Sequence, residues 1–540
     1  MKKLKQKLPW AQLAAPSLAN EIALEFVRIS KLSEAGKKDE AWQAANALHN
    51  KYPNEATPNF VMALMLADKE EKQQALPFAK AAVNLAPGNA MHKVFLGKLY
   101  VDLRLVEFAT ALLHQAFAID KTQFQAPLTL AYYYSESGQG SRAMPYFDLA
   151  LHAAPPAHKP MISWHRANCL VSVGRAKEAE ADYLKLMEGS RYRIPALKSL
   201  AVLKRCDINS DYAGQIRKEL DQPGLNDEVR SPLLLCLGRL YENSGDFDNA
   251  FLHYDRSREL LRSKPYVNRL TAILDDVSRV LTRDIFEKSR NYGHESDRPI
   301  FVVGMPRSGT TMTEQIIAAH SQAEGVGELM RIPAMAQNFS GSGGMRQVLN
   351  TMTAAGPERW KDAPRQYLNL LDTLAPGARR AVDKMPHNFQ WLGFIRLCFP
   401  NVKIIHCKRH PLDCFVSAFQ NEMTTGHDYS YEQVRYGEYY VSYLRLMELW
   451  KNMMPENIYE SRYEEMTTNP EIEVRKMLDF LGLPWEEACL NFHERSSTVK
   501  TFSRMQVRNP INTGSIARWR KYEKHLAPLI EVLEQAGVHI

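Results

Sequence analysis

The spacing of apolar and small residues changes near residue 297, and the two parts of the chain predict different structures. Up to about residue 285, small residues recur at intervals of 34, which is typical of stacked helix pairs. From Asp297 onward, short apolar segments such as residues 300–303 alternate with segments of helical periodicity. The chain is therefore predicted to begin with helices, after an N-terminal extension of residues 1–19, and to continue as an α/β domain over residues 297–540.

The 34-residue period is carried by alanines at helix positions and by turn residues between helices. The three series are Ala41, Ala75, Ala109 and Ala143; Ala82, Ala116 and Ala150; and Pro53, Pro87, Lys121 and Pro155. Because alanine lets two helices approach closely, this period is the tetratricopeptide signature. The register is looser at Ala179, and residues 237–260 form another good repeat. A helical solenoid of about seven repeats over residues 20–285 is predicted, and the sustained register disfavours a generic helical bundle.

The second half of the chain shows apolar strand segments, each followed by a helical segment. Residues 300–303, 379–386 and 402–409 are the strand segments, and helices are expected to about residue 320, over residues 389–398 and from Pro411. This alternation is typical of a parallel sheet that is covered on both faces. Ligands of such sheets bind at the carboxyl ends of the strands.

The sequence GMPRSGTT at residues 304–311 directly follows the first of these strands. Gly304 and Gly309 permit a tight turn, so that backbone N–H groups and the start of the next helix point at one anion. An ATP-binding loop carries Lys where Thr310 stands, which disfavours an ordinary nucleoside triphosphatase or kinase. A strand–turn–helix junction with incidental glycines is the alternative. The donor side chains of the loop are Arg307, Ser308, Thr310 and Thr311.

Composition narrows the class of protein. The chain has 540 residues, enough for two or more domains, with 45% hydrophobic and 24% charged residues and a formal charge of +7. This charge is small for the length and includes no long basic run, so nucleic acid is not expected as a partner. No apolar run approaches the ~18 residues of a membrane helix. Seven scattered cysteines without CxxC spacing predict reduced thiols in the cytoplasm, with no disulfide framework and no zinc site.

A second anion site is predicted after the strand at residues 402–408. Arg409 follows this strand, and Ser417 stands eight residues later near the start of the next helix. An arginine fork and a hydroxyl suit a phosphate, although a solvated strand-end arginine is the commoner case for Arg409 alone. Residues 299–311 and 403–419 together resemble the two motifs by which sulfotransferases bind 3′-phosphoadenylyl sulfate (PAPS). The likeness is greatest to tyrosylprotein sulfotransferases and to bacterial chains that join tetratricopeptide repeats to such a domain.

The resemblance implies a fold and a donor site. The expected fold class is an N-terminal tetratricopeptide helical solenoid followed by a P-loop-like α/β sulfotransferase domain with a parallel central sheet. The resemblance assigns Arg307, Ser308, Gly309, Thr310 and Thr311 to the 5′-phosphosulfate, Arg409 and Ser417 to the 3′-phosphate, and Tyr463 to a position near the nucleotide. Residues 506–523 depart from the corresponding basic motif of the cytosolic enzymes. A 3′-phosphate role for Arg508 or Arg518 is therefore left open.

The same resemblance implies the catalytic residues. Glu328 in GVGELMRIP matches the general base, Lys384 in VDKMP matches the lysine that contacts the transferring group, and Ser496 in ERSSTV is a candidate donor to it. Arg307 would help to neutralise the leaving phosphate. Taken singly, Glu328 could be a surface carboxylate and Lys384 a solvated lysine. His387, close to Lys384 in sequence, is the rival base.

These expectations combine into a PAPS-dependent sulfotransferase that acts on an acceptor hydroxyl, with peptide tyrosine favoured. A sulfuryl group needs less counter-charge than a phosphoryl group, so no metal ion is expected. Carbohydrate and small-molecule acceptors are alternatives, and so is a repeat scaffold with a non-catalytic nucleotide-binding domain. The expected partners are an acceptor peptide or protein, a protein on the repeat surface and a second copy of the chain, in a bacterial cytoplasm.

Overall fold

The computed structural model describes residues 20–69, 71–103, 106–136, 139–262, 266–341, 344–422, 426–494 and 510–540. The chain divides into two compact units, residues 1–192 and residues 193–540. Because this division comes after Tyr192, the first unit holds only part of the predicted repeat region. The domain boundaries near residues 285 and 297 stay predictions.

The first unit consists of helices that pack against their neighbours in sequence as pairs. They are α1 (Asn20–Glu34), α2 (Lys38–Lys51), α3 (Ala56–Asp68), α4 (Lys72–Leu85), α5 (Ala90–Asp102), α6 (Val106–Ile119), α7 (Gln125–Glu136), α8 (Gly140–Ala153), α9 (Lys159–Ser172) and α10 (Ala176–Leu186). Ala41, Ala75, Ala109 and Ala143 are all completely buried at the helix contacts. A side chain at Gly97 of α5 would come within 2.6 Å of the Leu113 side chain on α6. The predicted helical repeat is confirmed.

The second unit begins with further helices. They are α11 (Arg193–Leu203), α12 (Asp211–Leu220), α13 (Asp227–Asn243), α14 (Phe247–Glu259), α15 (Arg269–Val280) and α16 (Arg283–Lys288). Asn226 caps α13 by accepting from the Val229 N–H, and Asp246 caps α14 by accepting from the Asn249 N–H. Gly238 of α13 faces Tyr254 of α14 so closely that a Cβ would lie 2.5 Å from the ring. Helices α13 and α14 therefore form another tight repeat pair.

A parallel five-stranded sheet, counted over the described residues, follows these helices. Its strands are β1 (Pro299–Gly304), β2 (Ala323–Gly327), β3 (Arg380–Asp383), β4 (Lys403–Lys408) and β5 (Ile458–Arg462), in the order β2-β3-β1-β4-β5. All pairings are parallel, with Ile300 of β1 opposite Val382 of β3 and Lys403 of β4. The predicted α/β fold with a parallel sheet is confirmed. The edge strands β2 and β5 were not recognised in the sequence. Strand β2 gives a weak apolar pattern because it is glycine-rich and buries only Ala323.

Helices connect and cover the strands. They are α17 (Thr310–Ala318), α18 (Arg331–Ser340), α19 (Met345–Ala354), α20 (Asp362–Leu374), α21 (Leu392–Cys398), α22 (Pro411–Phe419), α23 (Gln433–Met453), α24 (Tyr463–Thr468), α25 (Pro470–Leu481) and α26 (Ala527–Gln535). Short 3₁₀ helices span Pro357–Trp360, Pro386–Trp391, Asp428–Tyr431, Pro455–Asn457, Glu487–Cys489, Phe492–Glu494 and Arg518–His525. None of the helices in the described ranges is long and apolar enough to cross a membrane.

The alternation of side chains along β1 divides the apolar core in two. Phe301 and Val303 belong to one cluster, whereas Ile300 and Val302 belong to another on the opposite face of the sheet. The larger cluster also contains Tyr254 from α14, together with Leu235, Leu270 and Val277 from the neighbouring helices. The seven cysteines, all within the described residues, form no disulfide, and six of them are buried. Helices α13 to α15 and the sheet thus share one core.

Candidate functional site

The predicted phosphate loop joins β1 to α17 at the carboxyl edge of the sheet. Three of its residues have positive φ angles: 150° at Gly304, 74° at Arg307 and 98° at Gly309. A Cβ at Gly304 would lie 2.4 Å from the Cys407 carbonyl oxygen, and one at Gly309 would lie 2.8 Å from the Tyr463 ring. Both glycines are therefore required by backbone conformation and by close approach. The predicted strand, turn and helix are all present.

Buried hydroxyl groups surround the start of α17. Ser308 is 2% exposed, and its Oγ has no hydrogen-bond partner among the described residues. Thr310 and Thr311 are the first two residues of α17 and are also buried. An orphaned buried hydroxyl beside a helix N-terminus is a site that an anion would complete. The loop therefore fits the phosphate end of a nucleotide.

The two motifs predicted to bind opposite ends of the donor lie in direct contact. Arg307 Nε donates to Ser417 Oγ at 2.8 Å, and Arg409 Nη1 donates to the Arg307 carbonyl oxygen at 3.0 Å. Burial, together with repulsion from Arg409, lowers the pKa of Arg307 to about 10. Two guanidinium groups are thus held close together, which favours binding of an anion between or beside them.

Arg409 is fixed by contacts on several sides. Its Nη2 donates to the Ser515 carbonyl oxygen at 2.5 Å and lies 3.9 Å from Asp413 Oδ2. Its guanidinium also lies over the Tyr463 ring, 4.5 Å from the centroid. The same ring packs against Gly309, so Tyr463 connects the phosphate loop to Arg409. Arg409 Nε is buried and has no partner in the described part of the chain.

The segment after residue 510 covers this corner of the site. Asp413 on α22 accepts hydrogen bonds from the N–H groups of Ala517 at 2.8 Å and Trp519 at 2.9 Å. Arg518, between them, forms an ion pair with Glu242 of α13. Burial opposes the charge of Arg518, but the pairing with Glu242 outweighs it and raises the pKa of Arg518. The two remaining sequence candidates, Ser496 and Arg508, lie outside the described residues.

The predicted acid–base pair lies at the ends of β2 and β3. Lys384 Nζ donates to Glu328 Oε1 at 2.5 Å and lies 4.0 Å from Glu314 Oε2. The lysine side chain is 1% exposed and that of Glu328 is 46% exposed. Glu314, on α17, also accepts from the Gly327 N–H at 3.0 Å. One buried ammonium is therefore flanked by two carboxylates, and only Glu328 is open to solvent to a large extent.

Glu314 and Asp383 are residues of this region that sequence reasoning missed. Asp383, the last residue of β3, accepts from Tyr367 Oη at 2.6 Å and from the Leu329 N–H at 3.5 Å. Burial raises the pKa of Asp383 to about 7. The sequence could have indicated Asp383, because it stands next to Lys384 at the end of a predicted strand. No signal marked Glu314, because a glutamate in the middle of a helical segment is ordinary.

His387, the rival base, lies in a different environment. Its Nε2 is 3.3 Å from Tyr429 Oη, and its ring lies 4.9 Å from that of His427. Burial lowers the pKa of His387 to about 3, with a further contribution from His427. His387 is therefore a neutral imidazole at neutral pH that contacts a phenol, whereas Glu328 contacts Lys384. His406, 2% exposed, bonds Tyr443 Oη at 2.5 Å and is part of the core.

Comparison with known proteins identifies the domain that carries this site. Residues 299–487 match the model of a family described as the sulfotransferase family. This part of the chain is a sulfotransferase-family domain, and the predicted combination of helical repeats with such a domain is confirmed. The site roles given to individual residues stay predictions.

Three relatives illustrate the similarity. An uncharacterised protein of Aquifex aeolicus is 31% identical over 405 residues, which is 70% of this chain and 51% of that protein. Protein-tyrosine sulfotransferase 1 of Danio rerio is 27% identical over 283 residues, 48% of this chain and 74% of that protein. Protein-tyrosine sulfotransferase of Drosophila melanogaster is 27% identical over 276 residues, 47% of this chain and 52% of that protein. The chain thus spans about half the length of the Aquifex aeolicus and Drosophila melanogaster relatives.

Proposed function

We propose that this protein is a sulfotransferase that moves the sulfuryl group of PAPS to an acceptor hydroxyl. The observation that carries the proposal is the contact of Arg307, a residue of the phosphate loop, with both Ser417 and Arg409. These contacts join two motifs that are about a hundred residues apart in sequence and that were each predicted to bind an anion. The family match over residues 299–487 supports the same reaction class.

The residues of the loop corner suit a nucleotide with separate 5′ and 3′ anionic groups. The N-terminus of α17 and the unpartnered Ser308 Oγ would hold the 5′-phosphosulfate. Arg409 and Ser417 would hold the 3′-phosphate, and Tyr463 would fix the arginine plane. PAPS supplies an activated sulfuryl group whose leaving group is a phosphate.

Glu328 is assigned the role of general base, and Lys384 is assigned the role of stabilising the transferred group. The Glu328 carboxylate takes the proton of the acceptor hydroxyl. Its side chain is solvent-accessible, and in the described contacts only Oε1 accepts from Lys384, so Oε2 is available to the acceptor. The buried Lys384 ammonium stabilises negative charge that develops on the transferred group. His387 is less suited to the base role, because its burial disfavours the protonated form.

A peptide tyrosine is the favoured acceptor. Glu328 is 46% exposed, and Met330 two residues later is 71% exposed, so the acceptor side offers an open surface with an apolar contact. A solvent-exposed base can be reached by a tyrosine on a peptide or protein, whereas a base in an enclosed pocket would suit a small phenol better. The relatives named protein-tyrosine sulfotransferase and the helical repeats point the same way. The repeats would bind the acceptor protein on their surface.

The test is transfer of label from ³⁵S-labelled PAPS to a panel of acceptors by the full-length protein. Each tyrosine peptide is paired with its phenylalanine counterpart, and simple phenols and glycans are included. Label on the tyrosine peptides alone is the expected result. Label on glycans or phenols alone would replace the peptide by those acceptors. Calorimetry that detects no binding of 3′-phosphoadenosine 5′-phosphate would overturn the donor assignment itself, and binding without any transfer would favour a non-catalytic scaffold.

A further inference from the structure

Helix α13 carries an arginine and a glutamate beside the segment that covers Arg409. Arg239 Nη1 lies 3.9 Å from Glu242 Oε2, one turn further along the same helix. The second oxygen of Glu242 forms the ion pair with Arg518, and Tyr254 Oη donates to Glu242 Oε2 at 2.9 Å. Glu242 is therefore fully engaged, with Arg518 in direct contact and Arg239 at a longer distance.

This ion-pair group is continuous with the residues around Arg409. Arg518 lies three residues after Ser515, whose carbonyl accepts from Arg409 Nη2. The N–H groups on either side of Arg518 are bound by Asp413 of α22. A chain of direct contacts therefore runs from Arg409 through residues 515–519 to Glu242 on α13.

The pKa of Arg307 also reflects the arginines of this group. After burial and the effect of Arg409, repulsion from the guanidinium groups of Arg239 and Arg518 contributes to lowering the pKa of Arg307. Three arginines from three other segments of the chain thus repel the charge of Arg307. Two carboxylates, Asp413 and Glu242, pair with these three in the described structure. A site with this surplus of positive charge suits a phosphate dianion.

The two arginines beside Glu242 differ in how firmly they are held. Arg518 contacts Glu242 directly, so its rotation towards a ligand would break the direct ion pair of a carboxylate that is only 10% exposed. Arg239 is 29% exposed and lies 3.9 Å from the same carboxylate, so it can turn towards an anion without breaking a short contact. Glu242 keeps Arg518 as its partner when Arg239 moves.

We propose that Arg239 of α13 binds the 3′-phosphate of the donor together with Arg409. This inference rests on the proposed donor. Helix α13, which belongs to the predicted repeat region, would then be part of the nucleotide site. Neither sequence motif, at residues 299–311 or 403–419, includes this helix. Arg518 is then a positioning residue, which ties the segment over Arg409 to α13.

The experiment compares two nucleotides that differ only in the 3′-phosphate. Calorimetry at fixed ionic strength gives the Kd of 3′-phosphoadenosine 5′-phosphate and that of adenosine 5′-phosphate, which lacks the 3′-phosphate. We expect Arg239→Ala to raise the first Kd about 10- to 100-fold and to leave the second unchanged. Arg239→Gln should behave in the same way and serves if the alanine variant does not fold.

The matched control is Arg230→Ala on the same helix, where the guanidinium donates to the Leu220 carbonyl oxygen at 3.3 Å. It should change neither Kd. If the wild-type protein shows no preference for the 3′-phosphorylated nucleotide, the proposed donor itself fails. If it shows the preference and both Arg239 variants keep it, the donor stands and the role of Arg239 is rejected. An equal loss for both nucleotides would also reject a 3′-phosphate role.

Discussion

Lys384 and Glu328 form an ion pair of 2.5 Å in which the ammonium is buried and the carboxylate is half exposed. The pair therefore has an inner side, which faces the strand ends, and an outer side, which faces solvent. On the inner side, the Lys384 ammonium lies 4.0 Å from Glu314 of α17, the helix that follows the phosphate loop. In the proposed function, an acceptor that gives its proton to Glu328 would approach from the outer side. This orientation orders the proposed site into a donor side and an acceptor side.

Replacement of Glu328 tests the proposed base. Glu328→Gln keeps the size of the side chain but removes its ability to take a proton. We expect turnover to fall by about 10²- to 10⁴-fold while the Kd of 3′-phosphoadenosine 5′-phosphate stays the same. Single-turnover transfer of ³⁵S measures the first quantity and calorimetry the second. Glu358→Gln, at a carboxylate that is 83% exposed, is the control, and unchanged turnover in Glu328→Gln would reject this base.

Replacement of Arg409 tests the donor corner. Arg409→Ala removes a charge-assisted contact worth about 1.5–3 kcal/mol, so nucleotide affinity should fall by one to two orders of magnitude. Arg409→Lys should recover only part of this loss, because a lysine cannot reproduce the planar fork above Tyr463. Calorimetry with 3′-phosphoadenosine 5′-phosphate provides the measurement. Affinity equal to that of the wild type in both variants would remove Arg409 from the site.

Glu314 is predicted to be a positioning residue for Lys384 and Glu328. Glu314→Gln retains an oxygen that can accept from the Gly327 N–H and removes the charge 4.0 Å from the ammonium. We expect kcat to fall roughly 10- to 100-fold with little change in the KM for PAPS, since the lysine loses its inner partner. Glu314→Asp, which keeps the charge, should recover part of kcat. A parallel rise in KM would instead indicate damage to the phosphate loop.

Asp383 predicts a pH dependence of stability. Its pKa is raised to about 7 in the folded protein, whereas an ordinary aspartate titrates near pH ~4. Between these values the folded state binds more protons than the unfolded state, so this residue makes stability fall as pH rises from about 4 to 7. Asp383→Asn should remove that fall, because the amide stays neutral and can still accept from Tyr367. Denaturant unfolding at pH 5 and pH 7.5 checks this, and identical pH slopes for both proteins would contradict it.

Local sequence patterns were enough for the parts of the site that are contiguous in the chain. The glycines of the loop, the strand before it and the position of Arg409 after β4 follow from spacing alone. The partners of these residues do not, because hydrogen bonds such as that from Arg307 to Ser417 depend on how β1 and β4 pair. Glu314 and Arg239 were missed for the same reason. Each lies on an ordinary helix, and only packing places it beside a charge from another segment.

The apolar core that α13 to α15 share with the sheet also bears on how the second unit folds. Tyr254, Leu270 and Val277 are buried in the same cluster as Phe301, so opening those helices would uncover the side chains beneath β1. Elements that share a core tend to unfold in a single cooperative transition. Protection of the β1 amides against hydrogen exchange should therefore depend on helices that precede the sheet in sequence. A fragment that starts at β1 would therefore lack the helices that complete its apolar core.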